Sequence, residues 1–127
     1  MTTETLSYIT QLLTDSGLNY AFGRWNGDLV FPYWIGEYSE VDSMYEDGMV
    51  ESDFILTGTT EGIWLELQEE KEKVEKLFRD RTTILASGIG VSMSFERSLI
   101  VPTESDTLKR IQINISVKEW RNYYGIS

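Results

Sequence analysis

The chain has 127 residues, 41% of them hydrophobic and 13% aromatic, and carries a net charge of −10 at pH 7, so it has the length and the apolar content of one globular domain. The acidic balance speaks against an ordinary phosphate-gripping surface and against docking on anionic membranes, both of which need clustered Lys and Arg. Cysteine and histidine are both missing, which excludes a disulfide framework, a thiolate nucleophile, the usual zinc sites and the commonest general base.

The opening Met-Thr-Thr-Glu-Thr-Leu has neither a basic region nor an apolar run, so no secretory signal is expected. No stretch approaches the roughly 20 apolar residues of a spanning helix. A protein made in the cytoplasm is the expectation. Thr3 is placed to cap a first helix with Leu6, Ile9, Leu12 and Leu13 on one stripe and Gly17 as its stop. Asn19 to Trp25 then reads as a strand, Asn26-Gly27-Asp28 as a tight turn, and Leu29 to Glu37 as the returning strand. Pro32 has no amide proton, which predicts an edge position or a bulge there.

Between Glu37 and Asp53 stand seven carboxylates and no Lys or Arg: Glu37, Glu40, Asp42, Glu46, Asp47, Glu51 and Asp53. Asp47-Gly48 marks a turn, after which Val50, Phe54 and Leu56 alternate with Glu51, Asp53 and Thr57, the pattern of a half-buried strand. The stretch therefore reads as a strand pair holding an acidic loop away from the body. It lacks the spacing of a helix-flanked calcium loop. Glu37 with Asp53 has no accompanying pocket or substrate handle that would make an acid–base dyad of it. No catalytic residue, metal ligand or cofactor is expected.

Thr59 or Thr60 is read as the cap of a second helix, Ile63 to Asp80, with Ile63, Leu67, Val74, Leu77 and Phe78 on one face. Glu69–Lys73, Glu72–Lys76 and Glu75–Arg79 fall at (i, i+4) in the favourable order. The turn Gly58-Thr-Thr-Glu-Gly62 lacks the lysine and the glycine spacing of phosphate loops. Gly88-Ile-Gly opens a strand with Ile89, Val91, Met93 and Phe95 on one side. The chain turns near Pro102 to Asp106, and Ile111, Ile113, Ile115 and Val117 alternate with polar residues in the last strand. Glu119 to Ser127 is left as an apolar tail.

The sum is one α+β domain over residues 1–127: an antiparallel sheet of about five strands with two amphipathic helices on one face, in the order α-β-β-β-α-β-β. Aromatics exceed what one sheet face can bury. Phe31, Tyr33, Trp34, Tyr38, Trp120, Tyr123 and Tyr124 are therefore candidates for subunit-interface contacts. They lack the basic groove of a single-strand nucleic-acid platform.

Two local patterns carry a resemblance. Phe31-Pro-Tyr-Trp-Ile-Gly-Glu-Tyr38 runs through acids to Glu46-Asp-Gly48, and the charged helix Leu65–Arg79 is followed by Gly88-Ile-Gly and an amphipathic strand pair. With the length and element order, the chain resembles the tail-terminator or tail-completion neck proteins of long-tailed bacteriophages. That resemblance implies a virion structural protein assembled in the host cytoplasm, with no catalytic machinery. It also implies a homohexameric ring capping the tail tube, with the major tail tube protein and a head-connector protein as partners. DNA would pass through such a ring without specific binding, and negative walls would keep it from sticking. A head-closure protein of the same neck is the neighbouring alternative. A monomeric acidic module for a basic protein partner is the alternative from outside that class.

Overall fold

The computed structural model describes residues 1–41 and 48–121, in which two helices and six strands follow the order α-β-β-β-α-β-β-β. Helix α1 is Thr3–Asp15 and helix α2 is Trp64–Phe78; the strands are β1 Tyr20–Phe22, β2 Tyr33–Val41, β3 Met49–Glu61, β4 Arg81–Ile84, β5 Gly90–Ile100 and β6 Leu108–Trp120. They form one sheet in the order β1-β2-β3-β6-β5-β4. The α+β architecture matches the sequence reading. Two features do not: there are six strands, and β1 pairs with β2 in parallel.

Helix α1 starts one residue earlier than Thr3 suggested. Thr2 is the N-cap, its Oγ1 accepting from the Thr5 N–H at 3.2 Å. Its C-terminus closes as a Schellman motif: Leu18 N–H donates to the Leu13 carbonyl and Gly17 N–H to that of Thr14. Gly17 supplies the required positive φ of 83°. Leu13 and Leu18, the apolar pair of that motif, are both buried.

The expected hairpin of residues 19–37 does not form. Gly23 and Gly27 turn the backbone at positive φ, and Pro32 has no N–H to give to a ladder. Residues 23–32 therefore make a loop that carries the chain back, so that β1 and β2 run side by side. The Trp34 N–H donates to the Asn19 carbonyl at 2.7 Å, and the Asn19 amide donates to the Pro32 carbonyl at 3.0 Å.

Strands β2 and β3 pair antiparallel from Tyr33↔Thr59 to Val41↔Glu51, as the acidic strand pair requires. Along β3, Val50, Phe54 and Leu56 are buried and Glu51 and Asp53 exposed, the alternation read from sequence. Ile9 and Leu13 from α1 and Leu67, Val74 and Phe78 from α2 share one core with that buried row and with Ile111, Ile113, Ile115 and Val117 of β6. Both helices cover the same sheet face. Among the described residues the other face carries no helix.

Helix α2 departs from expectation at its start. Thr59 and Thr60 are buried residues of β3, and the N-cap is Ile63, which makes no side-chain cap. Ile63 is 63% exposed rather than part of the buried stripe. Lys71–Glu75 at 2.6 Å and Glu75–Arg79 at 4.0 Å are its ion pairs. The short strand β4, unread in the sequence, pairs with β5 from Arg81↔Met93 to Ile84↔Gly90.

Strand β5 contains a bulge between Phe95 and Arg97. The extra residue resets the alternation, so that beyond Val91, Met93 and Phe95 it is Ser98 and Ile100 that share the row of Ile113 and Ile111. Ile100 is thereby turned to the helix side of the sheet.

Candidate functional site: the acidic strand pair and the exposed apolar surface

The seven carboxylates separate into three groups. Glu37, Glu51 and Asp53 lie on the uncovered face of β2 and β3, where Ser39 stands opposite Asp53 and Lys118 opposite Glu51. The Glu51 carboxylate accepts from the Ser116 hydroxyl at 3.3 Å. Asp42, Glu46 and Asp47 lie outside the described residues. Glu40 belongs elsewhere. It occupies the helix-side row and pairs with the Met1 ammonium and, at 2.8 Å, with Arg121. The Ser52 hydroxyl also donates to it, at 3.4 Å.

That ionic contact is part of a network that sequence reading missed. Glu119, assigned to a tail, is the penultimate residue of β6 and is wholly buried. Its carboxylate accepts from the Thr5 hydroxyl at 2.6 Å, the Thr2 hydroxyl at 2.8 Å, the Thr2 N–H at 3.1 Å and Arg121 at 2.5 Å. Burial pushes the Glu119 carboxyl upward, but hydrogen bonds from Thr5, Arg121 and Thr2 outweigh it and hold the group below the ordinary carboxylate range. At Glu40 the same contest, between desolvation and the contacts to the terminal ammonium and Arg121, also ends below that range. These two acids tie α1 to the far end of β6. Strict alternation from Ile111 through Val117 places residue 119 on the core side, so the signal was present.

The predicted interface aromatics scatter. Trp34 is wholly buried beneath α2, with its indole N–H donating to Glu70 at 2.8 Å, so it is a core residue and offers a partner no surface. Tyr38 is half-buried on the same side and packs against Phe22 with ring centroids 6.1 Å apart. Phe31 and Tyr33 stack with Trp25 into a cluster at the start of β2, with centroids 5.5–5.7 Å apart. Trp120 ends β6 on the uncovered face, 38% exposed. Tyr123 and Tyr124 lie outside the described residues.

Exposed aliphatic side chains were not anticipated. Trp64 and Leu65 at the head of α2 and Ile100 at the end of β5 come together in one apolar region, beside which Ile63 is also exposed. A groove of about 420 Å³ runs through it, lined by Trp64, Leu65, Gln68, Ile100 and Ile111. Phe22, just before the 23–32 loop, and Leu29 and Val30 within it are also exposed. Among the described residues no group of three or more acidic side chains is arranged to hold a metal ion.

No protein-family model matches the chain, and no curated protein matches it. A solved structure does. Over 85% of its length the chain is similar to a chain of the virion of a native gene transfer agent particle, covering 83% of that chain with a TM-score of 0.63 and 15% sequence identity. The two chains share a fold. At that identity the likeness concerns the backbone path, not the carboxylates or apolar side chains described above.

Proposed function

We propose that this protein is a structural component of a phage-like virion, a ring-forming neck protein that caps the tail tube and joins it to the head connector. The observation that carries the reading is the shared fold with a chain of the gene transfer agent virion, which extends over more than four-fifths of both chains. The resemblance to tail-terminator proteins in element order and length points the same way.

The surfaces suit assembly better than turnover. The carboxylates with shifted titration are engaged with neighbouring groups, Glu40 and Glu119 sharing Arg121 and Glu70 holding the Trp34 indole. The exposed apolar regions are of the kind that subunit contacts cover. Glu37, Glu51 and Asp53 give the uncovered face of β2 and β3 a negative character, which in a ring lumen would repel passing DNA and leave no place for it to adhere. The major tail tube protein and a head-connector protein are the partners in this reading, the neck of the particle is the location, and no catalytic step is assigned.

Native mass spectrometry of the purified protein, alone and with the tail tube protein, tests the ring. A closed oligomer of one defined number is the expected result. A chain that stays monomeric under both conditions would contradict it.

A further inference from the structure

We infer that the two exposed apolar regions are the two halves of one head-to-tail contact, in which the 22–30 segment of one copy seats on the α2–β5 groove of the next. This rests on the ring reading and names the surfaces that would close it.

Position is the first argument. Strand order puts β1 and β2 on one side of the central β3–β6 pair and β5 and β4 on the other. Phe22, Leu29 and Val30 belong to the first side. Ile100 belongs to the second, and Leu65 reaches that side from α2, where it lines one groove with Ile100 and Ile111. Strands β2 and β5 are three strand spacings apart, roughly 14 Å, with β1 further out still. The bulge in β5 keeps Ile100 on the helix side, where it lines the groove. Met together across a two-fold axis the two patches would close a dimer; met one at a time they make a heterologous contact, which closes into a ring or continues as a filament, and the ring reading selects the second.

Charge is the second argument and selects a copy of this chain as the occupant. Arg24 is the only basic residue before Lys71, and it stands in the loop between Phe22 and Leu29. It is exposed and makes no ion pair among the described residues. Across the proposed contact, Glu61 and Glu66 flank Ile63–Leu65, both exposed. The single basic side chain before Lys71 therefore sits within one apolar patch, and two carboxylates border the other, where Lys71 at the groove margin is already paired with Glu75. The large apolar side chains are well exposed, Leu65 at 61% and Ile100 at 64%, and would be covered by a neighbour with no change in the fold.

The natural absence of cysteine makes the test direct. Leu29→Cys and Leu65→Cys are introduced singly and together, folding is checked by circular dichroism, and each protein is treated with a short bis-maleimide. The double variant is expected to give a ladder of covalent oligomers ending at the ring number, and each single variant to remain a single-chain band. Native mass spectrometry on the same samples separates the two levels of the argument. A ring without a ladder, or with a dimer band from one single variant alone, overturns the pairing of these patches while the ring stands, and a double variant whose products stop at the dimer makes the contact two-fold and overturns the head-to-tail pairing. A double variant linked within one chain overturns it as well, by showing that the patches are neighbours. A monomeric wild-type chain overturns the ring and the pairing together.

Discussion

Gly58 stands directly opposite Trp34 in the β2–β3 ladder, and the indole lies where a Cβ at position 58 would be, within 2.6 Å of its ring atoms. The same device recurs at Gly36, where a Cβ would meet Phe54 and Tyr20 at 2.6 Å. Two glycines on the core face thus make room for three aromatic rings and let α2 settle on Trp34.

Gly58→Ala is therefore expected to destabilise the protein by about 1–3 kcal/mol, the usual cost of overpacking a filled core. Trp34 has no slack, because its ring is buried and its N–H is held by Glu70. Urea unfolding followed by tryptophan fluorescence should show a lower midpoint with an unchanged slope. An unchanged midpoint would mean that the indole can move aside.

Glu119 gives the fold an acid-labile tie. Its carboxyl is held below the ordinary range, so its stabilising contribution is full above the unfolded-state value, about 4.3, and is lost as pH falls through the lower folded-state value. Glu119→Gln is expected to cost about 1–3 kcal/mol at pH 7, because Arg121 and the Thr2 and Thr5 groups lose their charged acceptor. The gap between wild type and variant should hold at neutral pH and narrow as pH falls through about 4 towards about 3. A gap that stays constant with pH would remove the charge from the explanation.

Glu70 has the opposite sign. Burial pushes its carboxyl up despite the hydrogen bond from Trp34, so the charged form is disfavoured in the folded state. That raised value costs stability at neutral pH, and the cost disappears as pH falls below the unfolded-state value. Glu70→Gln keeps an oxygen acceptor for the indole and removes the charge. Its thermal midpoint at pH 7 should be equal to or above that of wild type, whereas Glu70→Leu, with no acceptor, should fall below it.

Much of this arrangement was legible in the sequence where a period was long. Val50 to Leu56 and Ile111 to Val117 alternate cleanly, and Leu67, Val74 and Phe78 repeat as a helix face; both helices and five of the six strands were expected and found. Short elements were less legible. The four residues of β4 carry too little pattern, and β1, expected over residues 19–25, spans only Tyr20–Phe22, with a parallel pairing that depends on where the 23–32 loop delivers the chain. Trp34 was misplaced because its burial depends on a glycine 24 positions away. Glu119 was misplaced because a carboxylate on a core row was taken for surface, although its partners Thr2 and Thr5 make that row habitable. Ile63 and Ile100 were missed because helix phase at a terminus and a strand bulge are both decided by tertiary packing.

The acidic face gives the proposed ring a separate test. Asp53→Asn with Glu37→Gln removes two negative charges from the uncovered face without touching the core. Assembly of the purified protein should be unchanged. In particles, the variant is expected to slow DNA release, read as a longer ejection time. Loss of ring formation would instead place these carboxylates in a subunit contact.

The most direct measurement is tail length, by electron microscopy of particles made without this protein. A tube terminator should leave tails of uncontrolled, excessive length that are not joined to heads. Tails of normal length beside leaking heads would contradict that role and assign the protein to head closure.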